Sequence, residues 1–204
     1  MKYIYVIMAS YLGYYPKCSQ DRSAKFVRAV DSFIKNTYEF KKLIIVADGC
    51  KETEAIYQEK YKFNNDVVLI KLEKQVAFSG NVRNAGLKYV KEQGTPEDII
   101  CYLDSDDRFG ENHLKKIVEG FGENDFIIYD THRISPNGWY ISKVAIKACN
   151  IGTSSFAHKA GLAVSWTDGY GHDWRIINEM SKKYKYSEIA LPEYYIHHTP
   201  SSDC

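Results

Sequence analysis

Ile99-Ile100-Cys101-Tyr102-Leu103-Asp104-Ser105-Asp106-Asp107 is an apolar run that passes without a break into three carboxylates. The run is short and largely β-branched or aromatic, so it reads as a buried strand. In an open α/β sheet, ligands collect beyond the carboxyl ends of the strands. The end of this strand is therefore where a functional site is expected. Upstream, Tyr3 to Met8, Leu43 to Ala47 and Val67 to Leu72 read as further strands. Between them lie stretches of helical period: Ser23 to Asn36, with Phe26, Val27, Val30, Phe33 and Ile34 on one face, then Lys51 to Tyr61, and Gly80 to Gln93 closed by Gly94. Downstream, Asn112 to Phe121 reads as a helix, Phe126 to Tyr129 as a strand and Ser135-Pro136-Asn137-Gly138 as a turn. Irregular strands and loops are expected from Trp139 to Ala163, a helix from Asp173 to Tyr184, and a short strand within Ile189 to His198. This alternation predicts an α/β fold: a mixed, mostly parallel, Rossmann-like sheet flanked by helices.

The chain has 204 residues, which suits a single domain and leaves no room for a second of full size. Lysine plus arginine number 27 against 26 aspartates plus glutamates, a net charge of +1, so no global field recruits nucleic acid and an anionic ligand must be held locally. With 45% hydrophobic residues a sizeable core is expected. The first strand lacks the apolar length and cleavage pattern of a secretion signal, and no run approaches a membrane span. Five scattered cysteines without Cys-x-x-Cys spacing suggest neither a disulfide framework nor a zinc site, and a reducing, cytoplasmic location is expected.

Three neighbouring carboxylates repel one another unless a cation joins them. Their hard oxygens suit Mg2+ or Mn2+, ions that bind one or two carboxylates together with substrate phosphates, so a nucleoside diphosphate is the natural partner. Taken alone, Asp104-Ser105-Asp106-Asp107 reads equally as a solvated turn that caps the next helix. An EF-hand loop counted from Asp104 would need glycine at Phe109 and glutamate at Lys115, which excludes calcium sensing. Asp48, in the turn Val46-Ala47-Asp48-Gly49-Cys50, ends a strand on the same sheet edge and is placed to accept from a base N–H, or simply to make an Asp-Gly turn. Arg83 lies in the first turn of its helix and opposes the helix dipole, so a compensating anion is expected, either a nucleotide or the acidic cluster. Asp173 stands at a helix start, where aspartate is also an ordinary cap.

Four segments, in order, resemble the inverting family 2 glycosyltransferases of the GT-A fold: Val46-Ala47-Asp48-Gly49-Cys50, Ser79-Gly80-Asn81-Val82-Arg83-Asn84-Ala85-Gly86, Gly169-Tyr170-Gly171-His172-Asp173-Trp174, and Tyr194-Tyr195-Ile196-His197-His198-Thr199-Pro200-Ser201. The resemblance spans nearly the whole chain. It departs from the family pattern at Ala47, where an aspartate is usual, at Val82 for alanine, at His172 for glutamate, and in the absence of an arginine from the last segment. It implies a single GT-A domain over 1–204, with a nucleotide-sugar half, 1–107, and an acceptor half, 108–204. By resemblance, Asp173 is the general base. Ser10, Asp48, Arg83 and Asp104 bind the nucleotide, and Asp104, Asp106 and His198 hold Mn2+ or Mg2+, with Asp107 or His197 as alternative ligands. His172, Thr153, Ser154 and Trp139 are the expected acceptor contacts.

The implied reaction is metal-dependent, inverting transfer of a sugar from a nucleotide-diphosphate sugar, a UDP-sugar in the first instance, to a hydroxyl of a glycan or other acceptor. Neither nucleic acid nor an integral membrane segment is expected, and the sequence carries no signal of oligomeric state. Two other readings stay open. One is a catalytically silent nucleotide or sugar-binding module of the same fold. The other is a nucleotidyltransferase, against which Ala9-Ser10-Tyr11-Leu12-Gly13 lacks a glycine-rich phosphate loop.

Overall fold

The structure, a computed structural model, describes residues 2–15, 18, 21–75, 79–190 and 193–197. In chain order the elements are β1 (Ile4–Ser10), α1 (Arg22–Ile34), β2 (Lys41–Asp48), α2 (Lys51–Lys60), β3 (Val67–Leu72), α3 (Gly80–Gln93), β4 (Ile99–Tyr102), β5 (Arg108–Phe109), α4 (His113–Phe121), β6 (Phe126–Tyr129), β7 (Thr131–Ser135), β8 (Gly138–Ser142), a 3-10 turn (Thr153–Ser155), β9 (Phe156–Lys159), α5 (His172–Ser181), β10 (Tyr186–Ile189) and β11 (Tyr194–Ile196). Seven strands form one sheet in the order β10-β6-β9-β4-β1-β2-β3, and four form a second, β5-β11-β7-β8. In the large sheet every pairing is parallel except those of β9, which runs antiparallel to both β4 and β6. The α/β, mostly parallel sheet expected from the alternation of elements is therefore present.

Side-chain alternation along β1 divides the core. Ile4, Val6 and Met8 pack with Phe26, Ala29, Val30 and Phe33 of α1 and with Leu114, Ile117 and Phe121 of α4. Tyr5 and Ile7 face the other way, onto Val82, Leu87 and Val90 of α3 and Ile177 and Met180 of α5. The period of two in the strand meets the apolar stripe of a helix on each face. Because β1, β2 and β4 are parallel and in register, Ser10, Asp48 and the acidic residues after Tyr102 emerge at one edge of the sheet.

The region expected to be irregular is more ordered than its sequence suggests. Ser135 pairs with Gly138 around Pro136-Asn137, closing the β7–β8 hairpin, and Gly138 takes φ +104°, where glycine is favoured. β9 wedges between β4 and β6 although Phe156-Ala157-His158-Lys159 has neither length nor clean alternation. Its polar member is paid for locally: buried His158 bonds the Tyr102 hydroxyl at 2.8 Å through Nε2 and contacts the Lys159 carbonyl oxygen at 2.9 Å through Nδ1. The last helix stops at Ser181 rather than Tyr184. The short strand expected within Ile189 to His198 is β11, and β10, just before it, is a further strand that pairs in the other sheet. Among the described residues no helix is long and apolar enough to cross a membrane.

α3 approaches β1 closely at Gly86, where an added Cβ would lie 2.6 Å from Ile7 Cγ2. Gly86→Val should therefore cost about 1–3 kcal/mol, read as a lower midpoint of thermal unfolding. An unchanged midpoint would show that α3 can shift without penalty.

Candidate active site

A cleft of about 660 Å³ opens at the carboxyl edge of the large sheet, with Ser10, Asp48, Arg83, Asp104 and Asp106 in its lining. Ser10 is buried there, its hydroxyl 2.8 Å from that of Thr53. Asp48 ends β2. Its carboxylate accepts the Gln75 N–H at 2.6 Å and forms an ion pair with Lys74, whose ammonium sits 4.1 Å from the centre of the Tyr11 ring. The Asp-Gly turn is a steric necessity. Gly49 has φ +60°, and a Cβ there would meet the Lys74 backbone nitrogen at 2.6 Å.

Arg83 is the hub. It is buried, and its guanidinium donates to Asp104 Oδ1 at 3.0 Å, bonds the Ser79 hydroxyl, and lies 3.1 Å from His172 Nε2. The acidic cluster thus supplies the anion that a cation in the first turn of a helix requires. Beneath the guanidinium lies the Trp166 ring, 4.8 Å from it. Asn84 holds the Trp166 backbone from both sides, donating to its carbonyl at 2.9 Å and accepting its N–H at 2.8 Å, while the indole N–H donates to Tyr102 at 3.2 Å. Burial and the neighbouring Arg83 both push the His172 pKa below the usual range, so the ring is neutral near pH 7.

The acidic turn itself is divided in role. Asp104 and Asp106 face the cleft, whereas Asp107 is buried and accepts the His197 N–H at 2.8 Å. Burial, with Asp106 and Asp104 close by, raises the Asp107 pKa well above that of an ordinary aspartate. Tyr194, also buried, takes the Asp104 N–H on its hydroxyl at 2.9 Å, so β11 fixes the turn at two points. His197 is pushed down to about 4 by burial and by Arg28, Arg108 and Lys25. Its ring lies edge-on to Trp139, 4.9 Å between centres. His198 lies outside the described residues. Among the described residues no three His, Cys, Asp or Glu side chains form a closed metal cluster.

Asp173 is in the first turn of α5 but is not its cap, a position taken by Gly171 at φ +72°. Its Oδ1 accepts the Trp174 N–H at 2.9 Å, and a Cβ at Gly152 would come within 3.3 Å of its Oδ2, which seats it beside the turn carrying Thr153 and Ser154. Both of those residues are buried. Trp139 stands apart on β8, with its ring contacts to Tyr195, His197 and Arg108. The structure thus joins Asp104, Arg83, His172 and the Asp173 turn in one continuous chain of contacts and places Trp139 against the C-terminal strand. Sequence reasoning passed over Lys74, which follows the end of β3, and Tyr11, which follows the end of β1. Position at a strand end was the available signal for both. Nothing local marks Trp166 as the support of Arg83.

The sequence pattern described as glycosyl transferase family 2 matches residues 19–187. An uncharacterized glycosyltransferase of Rickettsia bellii is 31% identical over 121 residues, 58% of this chain and 16% of that protein. The minor teichoic acid biosynthesis protein GgaA of Bacillus subtilis is 27% identical over 104 residues, 48% of this chain and 22% of its own. The chain therefore spans less than a quarter of the length of either relative. Among solved structures, S. aureus TarS 1-349 in complex with UDP-GlcNAc superposes with a TM-score of 0.74 at 16% identity, over 99% of this chain and 60% of that one. The complex of the same protein with UDP gives 0.74 at 16% identity, over 98% and 61%. At such identities the likeness is one of fold.

The His158 and Tyr102 pair beneath the site has a measurable consequence. Burial holds His158 down to about 4 in the folded chain, against 6.5 when exposed. The unfolded chain then binds the proton first, so this group's contribution is complete above pH 6.5 and is lost as pH falls toward 4. The loss amounts to roughly 3 kcal/mol. Urea unfolding at pH 7 and pH 5 should show the decline, and His158→Gln should make it shallower, with buried His113, pushed down to about 3, supplying a further part. An equal slope in the variant would exclude His158 as a source of the acid sensitivity.

Proposed function

The chain belongs to glycosyl transferase family 2, and on that premise we propose that it transfers a sugar, with inversion, from a UDP-sugar to a hydroxyl of a glycan or similar acceptor. The observation that carries this reading is the Arg83 bridge. Through it, the acidic turn at the end of β4 and the Asp173 turn at the start of α5 share one line of contacts beside one cleft. The UDP and UDP-GlcNAc complexes of the TarS structures support the choice of nucleotide.

In this reading the nucleotide lies across the ends of β1 and β2, with Ser10 and Asp48 toward the base and ribose, Arg83 and Asp104 toward the diphosphate. The two halves, 1–107 and 108–204, then divide donor from acceptor. Asp173 takes the proton of the acceptor hydroxyl as its oxygen forms a bond to the anomeric carbon. The bond from that carbon to the diphosphate oxygen breaks on the opposite face and inverts the centre. Neutral His172, between Arg83 and Asp173, orients the acceptor, with Thr153, Ser154 and Trp139 on the acceptor side.

Asp104 and Asp106 offer the hard carboxylate oxygens that Mg2+ or Mn2+ take, and a set of two carboxylates completed by diphosphate oxygens fits those ions. When bound, such an ion supplies positive charge that stabilises the departing diphosphate. His198 is the proposed further ligand. The buried Asp107 carboxylate instead accepts the His197 backbone N–H. Buried free thiols at Cys50 and Cys101 suit the reducing cytoplasm, where we place the enzyme.

Incubation with a panel of nucleotide sugars and Mn2+, with water or a saccharide as acceptor, tests the activity directly. Asp173→Asn should lower turnover by about 10²–10⁴-fold while leaving UDP affinity within about twofold. Turnover at the parental rate would remove Asp173 as the base. Asp106→Asn should abolish the Mn2+ dependence of UDP binding in calorimetry. A variant whose UDP binding still responds to Mn2+ would move the ion elsewhere.

A further inference from the structure

The three described cations lining the cleft are not equivalent. Lys74 is paired with Asp48 and Arg83 with Asp104, whereas Arg22 is paired with no carboxylate among the described residues. Its Nη2 donates to the Tyr11 carbonyl, and the Tyr15 ring lies 4.5 Å from the guanidinium carbon. Nη1 is buried and makes no hydrogen bond among the described residues. A guanidinium donates in its own plane, in a fork that matches phosphate oxygens, so a ring contact of this kind does not satisfy its N–H groups. A buried, unsatisfied donor on a charged group is costly and calls for a partner.

Position sharpens the argument. Arg22 is the first residue of α1, whose opening turn contains no acidic residue and whose N-cap, Asp21, makes no side-chain capping bond, so the cation sits against the positive end of the helix. It faces the same cleft as Asp104, Ser105 and Asp106. The β11 segment, Tyr194-Tyr195-Ile196-His197, brings no lysine or arginine to that side. An anion entering the cleft would give the guanidinium the acceptor it lacks.

We propose that Arg22 is a diphosphate-binding residue of this cleft, with its Nη1 edge donating to the phosphate oxygens of the nucleotide. The assignment rests on the donor reading given above and adds a residue from α1, on the helix layer opposite Arg83, so that the diphosphate is gripped from both faces of the sheet.

The test compares UDP with uridine, which carries the same base and ribose but no phosphate, by calorimetry on the parent, Arg22→Gln and Arg22→Lys. Thermal unfolding serves as the control for folding. Arg22→Gln should lose about 10- to 100-fold in affinity for UDP and keep the parental affinity for uridine. Arg22→Lys should recover part of the loss. Parental UDP affinity in Arg22→Gln would overturn the proposal, and so would an equal loss for UDP and uridine, which would mark Arg22 as a support of the Tyr11 segment. A parent chain that binds uridine no more weakly than UDP would overturn it as well. If the parent binds neither, the donor reading itself falls, an outcome distinct from any effect of residue 22.

Discussion

Like charge crowded at the end of one strand is the constraint around which this molecule is built. Asp104, Asp106 and Asp107 follow β4 within five residues, and the fold handles each differently. Asp104 is held by Arg83 and Asp107 is sunk beneath the surface on the His197 amide, while Asp106 is left in the cleft lining. Partial neutralisation of this kind stabilises the turn and leaves two carboxylates at the cleft, with one of them already committed to a guanidinium. Incoming positive charge would compete with Arg83 for Asp104, and incoming phosphate would compete with Asp104 for Arg83.

That arrangement explains the depth of the supporting structure. Arg83 rests on Trp166, whose backbone is clasped by Asn84 and whose indole leans on Tyr102, one residue before Leu103 and the acidic turn. Tyr102 is tied in turn to His158 on β9, the antiparallel intruder in the sheet. Gly80 completes the contact, since a Cβ there would strike the Thr167 carbonyl at 2.5 Å. A charged pair at a partly wet edge is worth little by itself, but one anchored through aromatic rings and a fully engaged amide has little freedom to wander.

Much of this was legible in the sequence because it follows from period and position. Alternating strand and helix patterns located β1 through β4, β6 and α1 through α4, and the strand-end rule pointed to Asp48 and Asp104. The rest depends on contacts between distant segments that no local pattern records. β9 owes its place to neighbours on both sides, and its histidine is tolerated because the Tyr102 hydroxyl, diagonal to it on β4, and the Lys159 carbonyl engage its ring. β11 answers to the short strand read within Ile189 to His198, whereas β10 went unread because its place depends on pairing with β6. Asp173 looked like a cap, but Gly171 in a left-handed conformation takes that position and leaves the carboxylate for other use. Arg22 lies one residue before the helix read from Ser23, and nothing local marks it as facing the cleft.

Tyr194 and His197, at the far end of the described chain, are the residues that pin the acidic turn formed some ninety positions earlier. During synthesis on a ribosome, the large sheet can assemble through β4 while this pin is still unmade, so the nascent protein carries its carboxylates before it carries their fastening. The turn is set only once β11 is made, so truncation before Tyr194 would yield a chain with most of its core and an unfastened acidic turn.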